Sequence, residues 1–245
     1  LHTKHIADFC TIAGTQKQPY KMQHVLDNPA WNALLSGNSN LAMGTDKVKY
    51  FDPEVSPFVG FRENTAENFQ QLYEVAQVGR PFGFISPVEA EIPAPWQQIV
   101  YIECLQMVHD GRDTGLSSVS LTPLTEKHIP RMLSLTKLTN PGPFAERTIE
   151  FGHYHGVMDG DKLVAMAGQR MHVFNYAEVS AVCTHPDYLG RGYAKQVLQF
   201  QTQRILAAGD TPFLHVRSDN HRAIHVYQSL GFATRKTIHF YIIKK

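Results

Sequence analysis

The sequence predicts an α/β (α+β) protein, a mixed sheet with helices on its faces. Three observations carry this. The second half of the chain alternates short apolar strands with amphipathic helices, the order that builds such layers. Residues 178–195 read as a buried strand, a tight glycine turn and the first turn of a helix. Hydrophobic content of 43% and charged content of 18% over 245 residues describe an ordinary globular chain, long enough for one large or two ordinary domains.

In chain order, the first twenty residues are polar and weakly patterned. Asn28-Pro29 forms an N-cap and first helical position, leading through Trp31, Ala33 and Leu34 until residues 37–40 end the helix. Short strands are predicted over 41–43, 48–51 and 57–61. A helix follows over 65–78, with Asn64 and Glu67 as a capping box, Phe69, Leu72 and Val75 as its apolar face, and Gly79 as its stop. Residues 82–86 and 96–107 read as strands, the second carrying Val100, Ile102 and Cys104 on one face. The polar, glycine-containing stretch 109–115 is the predicted boundary between an N-terminal α/β domain (1–115) and a C-terminal domain (116–245).

Beyond it the pattern predicts a strand over 119–121 and a helix over 125–138 bearing Ile129, Met132, Leu133 and Leu135. A loop at 140–143, a short helix over 144–149 and a strand pair, 152–158 and 163–172, about the turn Asp159-Gly160-Asp161 come next. After the strand 178–184 comes a helix over 193–208, with Ala194, Val197, Leu198, Ile205 and Leu206 at helical spacing. A strand over 213–216, a helix from Asn220 to a Gly231 stop and a strand over 237–243 close the chain.

A formal net charge of +1 argues against a nucleic-acid binder, which needs clustered Lys and Arg. No apolar run approaches the roughly 20 residues that span a bilayer, so no membrane partner is expected. Cys10, Cys104 and Cys183 are odd in number and lack metal-ligand spacing, the usage of a reducing, cytoplasmic compartment. The spacing His221-x-x-x-His225 suits a helical metal pair, but Arg222 stands where a zinc hydrolase needs Glu, and His153-x-His155 lacks a third ligand. No metal is expected.

The turn Gly190-Arg191-Gly192-Tyr193-Ala194 would aim backbone N–H groups at one point at the positive end of a helix, a ready anion site. It is not a dinucleotide fingerprint, because Lys195 stands where the third glycine belongs, and no Gly-Lys-Ser/Thr loop occurs. As a plain strand-to-helix connection the same turn would need no ligand. Nearby pieces narrow the choice. Val182-Cys-Thr-His-Pro-Asp-Tyr-Leu-Gly-Arg-Gly-Tyr-Ala194, followed by Asn220-His-Arg-Ala223 and Tyr227-Gln-Ser-Leu-Gly-Phe232, resembles the GCN5-related N-acetyltransferase (GNAT) superfamily over about residues 118–245. The resemblance extends to its glycine N-acyltransferase-like branch, and Asn28–Leu34 resembles the N-terminal half of two-part members. One position departs: Leu189 stands where the family pattern has Gln or Arg, a residue that works largely through its backbone N–H.

The resemblance implies a mostly antiparallel GNAT sheet flanked by helices, with the N-terminal half an additional, degenerate GNAT-like unit. It implies an N-acetyltransferase that uses acetyl-CoA as co-substrate, transferring to an amine by direct attack in a ternary complex. Backbone amides of Leu189, Gly190, Arg191, Gly192, Tyr193 and Ala194 would take the pyrophosphate, with Arg191 and Lys195 adding charge. Each such contact supplies only about 0.3–1 kcal/mol, against about 8 kcal/mol for a micromolar ligand. The resemblance fills the gap by pairing Val182, Cys183 and Thr184 with the pantetheine arm like an added strand, and by giving Asn220 either a bond to that arm or a helix cap. Glu178 stands where several relatives carry a carboxylate base; a strand-end ion pair is the competing reading. Tyr227 matches the tyrosine that protonates the departing thiolate; a core tyrosine is its alternative. Cys183, inside an apolar strand with no cationic neighbour, reads as a buried thiol rather than a nucleophile.

The acceptor pocket is expected from residues 143–147 and 153–155, Arg170 and Phe240, with Arg147 or Arg170 suited to a carboxylate-bearing amine. The expected partner is a small-molecule or peptide amine, and a homodimer is admitted. The alternatives are a non-catalytic acyl-CoA-binding module and a transferase of longer acyl groups.

Overall fold

The computed structural model describes residues 24–113, 115 and 120–245. Among the described residues, eleven strands form one sheet. The N-terminal half supplies β1 (Met43–Gly44), β2 (Val48–Tyr50), β3 (Phe58–Phe61), β4 (Pro81–Ser86) and β5 (Gln97–His109). The C-terminal half supplies β6 (Thr122–Pro123), β7 (His155–Asp159), β8 (Lys162–Val173), β9 (Tyr176–Thr184), β10 (Thr211–Arg217) and β11 (Phe232–Lys244). Five helices flank them: α1 (Pro29–Leu35), α2 (Ala66–Val75), α3 (Ile129–Thr139), α4 (Tyr193–Ala207) and α5 (His221–Ser229).

The strand order is β1-β2-β3-β4-β11-β5-β10-β9-β8-β7-β6. All neighbours are antiparallel except β3 with β4 and β9 with β10. Each parallel pair needs a crossover, and α2 and α4 provide the two. The order is the same read outward from the centre in either direction: a central strand, a parallel pair bridged by a helix, then antiparallel outer strands. The last strand of each half has crossed over, so β5 lies between β10 and β11, and β11 lies between β4 and β5. A fragment of residues 116–245 would lose β5, and with it the strand that pairs both β10 and β11. Such a fragment is expected not to fold, showing no cooperative thermal transition by circular dichroism where the whole chain gives one.

Two faces matter for the site. On one, α4 and α5 cover Ala177, Val179, Leu214, Val216 and Phe232. On the other, Leu26, Ala30 and Leu34 join Met132 and Leu135 of α3, Phe58, Phe213 and Ile238 in the largest core cluster. The N-terminal half therefore lies directly on the sheet of the C-terminal half. The two halves meet closely at Gly37, just after α1, where a Cβ would stand 2.5 Å from the His172 Cβ on β8.

Several sequence expectations change in detail. Asn28 precedes α1 but does not cap it; its amide donates instead to the Phe61 carbonyl, 2.6 Å away. Helix α2 is capped by Thr65, whose hydroxyl accepts from Asn68 N, while Glu67 pairs with Lys47; it ends at Val75, three residues early. On β5 the face of Val100 and Ile102 is not buried until Cys104, because the strand begins beyond the covering helices: Val100 is 38% exposed and Cys104 6%. The helix expected over 144–149 is a single 3-10 turn at Thr148–Phe151. Strand β7 starts at His155 rather than 152, since Gly152 and His153 both take positive φ. The final strand is longer than expected, beginning directly after Gly231. The strand expected over 119–121 includes Val119, outside the described residues; β6 lies just beyond it. No helix among the described residues is long and apolar enough to cross a membrane.

Candidate active site

The parallel pair β9–β10 opens. The strands are in register at Tyr176–Thr211, Ala177–Pro212 and Glu178–Phe213, and there the pairing stops. Yet β9 continues to Thr184 and β10 to Arg217. A bulge marks the divergence: Ala181 takes φ 54 and the β8–β9 register shifts between Gly168 and Met166, the local kink such an irregularity imposes. Val182, Cys183 and Thr184 thus border a cleft in the sheet, with unpaired strand edge available to an extended ligand. Glu178 sits at its vertex.

At the wide end, a 3-10 turn (Pro186–Tyr188) leads into residues 189–192 and then α4. Gly190 and Gly192 both have φ 78, and a Cβ on either would meet nothing within 4 Å. Their requirement is conformational, not steric: only glycine adopts that region without strain. Gly192 is the N-cap residue of α4 and no side chain caps the helix, so its first-turn amides are left for an external acceptor. The guanidinium of Arg191 lies 4.6 Å over the Tyr188 ring, whose hydroxyl is tied to Asp159 at 2.6 Å. Leu189, Gly190, Arg191 and Lys195 are exposed, Tyr193 and Ala194 half-buried. The structure brings these loop residues together at one helix terminus.

Glu178 is 1% exposed. Arg170 grips its carboxylate with two bonds, Nε to Oε2 at 2.8 Å and a terminal nitrogen to Oε1 at 2.6 Å. His215 Nδ1 lies 2.8 Å from Oε1. Burial alone would raise the carboxyl pKa, but the Arg170 charge and the His215 hydrogen bond overcome it and hold the group at about 2. The ion pair is therefore present, covered by the Phe58 ring 4.7 Å from the guanidinium carbon. A carboxylate so engaged is a poor direct proton acceptor. Sequence reasoning missed His215. Its signal is the alternation Phe213-Leu-His215-Val-Arg217, which puts a polar side chain on the buried face beside Glu178.

Tyr227, on α5, is half-buried on the opposite face, packed against the same core cluster as Val182 and Leu105, with its ring 6.3 Å from Phe232. Burial pushes its phenol up to about 12, so it stays protonated at neutral pH. Asn220 caps α5, its side-chain oxygen accepting from Ala223 N at 3.2 Å. Cys183 is buried and its thiol pushed up to about 11 by desolvation, a state without nucleophilic thiolate.

The expected acceptor wall divides in two. Arg170, Tyr154, Phe144 and Phe240 share the Glu178 face: the Phe144 and Tyr154 rings meet at 5.7 Å, and Phe240 lies 5.1 Å from His215. His153 and His155 turn the other way, to Arg204 (2.8 Å) and Phe200 (ring centroids 4.6 Å apart) on α4. The left-handed turn at His153 and side-chain alternation from Tyr154 to His155 account for this, and leave Tyr154 as the one residue of the expected stretch 153–155 on the Glu178 face. Both arginines are already paired: Arg147 with Glu150 and Asp52, Arg170 with Glu178. His225 Nδ1 meets the His221 carbonyl at 2.8 Å. Among the described residues no group of three His, Cys, Asp or Glu side chains could hold a metal ion.

This geometry has counterparts. Residues 154–241 match the model of the family "FR47-like protein". Over 84 residues the chain is 37% identical to the N-alpha-acetyltransferase RimI of Mycobacterium tuberculosis (strain ATCC 25618 / H37Rv). That match covers 33% of this chain and 51% of RimI, so the chain spans about half the length of this relative. The crystal structure of a putative acetyltransferase from the GNAT family of Novosphingobium aromaticivorans superposes with a TM-score of 0.85 at 33% identity, covering 91% of this chain and 99% of that one. A GCN5-related N-acetyltransferase from Kribbella flavida shares the fold at 13% identity, with a TM-score of 0.58 and 85% of this chain covered. With the near-complete coverage of the Novosphingobium protein, the chain belongs to the GNAT family.

Proposed function

We propose that the chain is an acetyl-CoA-dependent N-acetyltransferase that carries the acetyl group to an amine by direct attack in a ternary complex. The observation that supports it best is the alignment of two features along one line. The β9–β10 cleft begins at Glu178, and the uncapped terminus of α4 stands at its far end. The cleft suits a pantetheine arm running along Val182, Cys183 and Thr184, and the amides of residues 189–194 suit a pyrophosphate, with Arg191 and Lys195 at the rim. Replacing Gly192 by Val forces a β-branched residue into a left-handed conformation, a strain of about 1–2 kcal/mol or more. Acetyl-CoA affinity is expected to fall by roughly tenfold or more, measurable by calorimetry.

In this proposal the thioester is held from the α5 face, where Tyr227 donates a proton to the departing thiolate. The amine enters from the face of Tyr154, Phe144 and Arg170. A lysine-like ammonium has a pKa near ~10.4, so passing its proton directly to a carboxylate held at about 2 is uphill by roughly 11 kcal/mol. Glu178 accordingly acts by position, fixing Arg170 and His215 at the vertex while the amine loses its proton through water. The acceptor is a small-molecule or peptide amine; the name N-alpha-acetyltransferase carried by RimI favours an α-amine. The paired states of Arg147 and Arg170 remove the free cation that a carboxylate-bearing acceptor would want.

The N-terminal half fits the proposal as a second, degenerate copy on the glycine N-acyltransferase-like plan. Its β3–α2–β4 unit repeats β9–α4–β10, but Arg62-Glu63-Asn64-Thr65 replaces the glycine turn and Asn28 occupies the Phe61 carbonyl. A second reading, acyl-CoA binding without turnover, draws on the ion-paired state of Glu178. A thiol-release screen of amino acids, polyamines, aminoglycosides and peptides with acetyl-CoA decides between them. Turnover with one acceptor class supports the transferase; coenzyme binding with no thiol release across the panel supports the second reading.

A further inference from the structure

The charged vertex continues into a polar chain that crosses the core. His215 Nε2, the nitrogen not facing Glu178, lies 2.9 Å from the Gln106 side-chain amide nitrogen. The orientation of that amide is fixed twice over. Its Nε2 donates to the Leu26 carbonyl at 2.9 Å, and its Oε1 accepts from Arg235 Nε at 2.5 Å. Turning it over would set carbonyl against carbonyl and NH2 against guanidinium. Arg235 is in turn anchored on Asp27, 2.6 Å away. Gln106 is 0% exposed and the His215 side chain 3%, so water does not relieve a mismatch.

Proton placement follows from this geometry. An ionised carboxylate only accepts, so the His215 nitrogen facing Glu178 carries hydrogen. The other nitrogen faces an N–H donor, so it carries a lone pair. We infer that Gln106 is a positioning residue of the acetyl-transfer site: it holds His215 as a neutral imidazole protonated on Nδ1, leaving Glu178 with Arg170 as its one cationic partner. An imidazolium at position 215 would give the vertex a second cation where a cationic amine must arrive. The effect on turnover rests on the function proposed above; the tautomer does not.

Two-bond 1H–15N correlation spectra of 15N-histidine-labelled protein test it, with the His215→Asn variant assigning the signals. At pH 7 the wild type is expected to show His215 as the neutral Nδ1–H form. In Gln106→Glu the new carboxylate accepts from Nε2, and His215 is expected to show the doubly protonated pattern. Turnover of that variant is expected to fall about tenfold in kcat, with the KM for acetyl-CoA within about twofold of wild type. A wild-type His215 that is protonated on Nε2 or on both nitrogens overturns the inference, as does a folded Gln106→Glu protein with an unchanged His215 pattern. If Gln106→Glu does not fold, the wild-type spectrum alone decides. A wild type with the expected tautomer and no turnover refutes the proposed activity and leaves the assignment standing.

Discussion

Changing Tyr227 to Phe is expected to lower kcat for acetyl transfer by about 10²–10⁴-fold, the usual contribution of a positioned general acid. The substitution removes one oxygen and keeps the ring that packs against the α4–α5 core cluster and meets Phe232, so folding and acetyl-CoA affinity are expected to stay near wild type. The phenol suits the task because burial holds it protonated, its pKa pushed up to about 12. Among the described residues no hydrogen bond engages its hydroxyl, which leaves the proton free for a departing thiolate. Steady-state kinetics beside calorimetric acetyl-CoA titration separates the two effects. Unchanged kcat would return Tyr227 to the role of a core tyrosine.

Replacing Glu178 by Ala has the largest expected effect on stability. It strands the Arg170 guanidinium, buried under Phe58 with its two bonded oxygens removed, and takes the carboxylate from His215. Breaking a buried pair from one side costs about 3–5 kcal/mol. For a chain of this length that corresponds to a fall in Tm of roughly 6–20 °C. The sign of the pH dependence follows from the lowered pKa. A carboxyl whose folded value of about 2 lies below its ordinary 4.5 stabilises the fold in full above the ordinary value. That contribution is lost as pH falls from about 4.5 toward 2. Wild type and Glu178→Ala are therefore expected to converge in stability across that window, followed by urea denaturation at a series of pH values.

Much of this was legible in the chain itself. Period-three-to-four spacing located α4 and α5, and the glycine turn located the anion site, because those signals are local. The β9–β10 cleft was not, since it depends on where pairing stops. The interleaving of β5 and β11 was equally hidden: no local pattern says which strand a distant strand will choose. Glu178 was found, but its environment was not. Arg170, His215 and Gln106 are separated from it in sequence and meet only when β8, β10 and β5 come together on one face. The stretch 153–155 shows the reverse case: alternation between Tyr154 and His155 could have kept the tyrosine on the acceptor wall and sent His155 away, whereas the left-handed turn at His153 gave no local signal.

The central claim is that coenzyme A lies along the β9–β10 cleft with its pyrophosphate on the α4 terminus. Backbone amide chemical shifts followed through a titration with coenzyme A test it most directly. The amides of Val182–Thr184 and of residues 189–195 are expected to move together and saturate at a single dissociation constant. Saturation that leaves those amides unmoved, with the shifts confined to the N-terminal half, would contradict it.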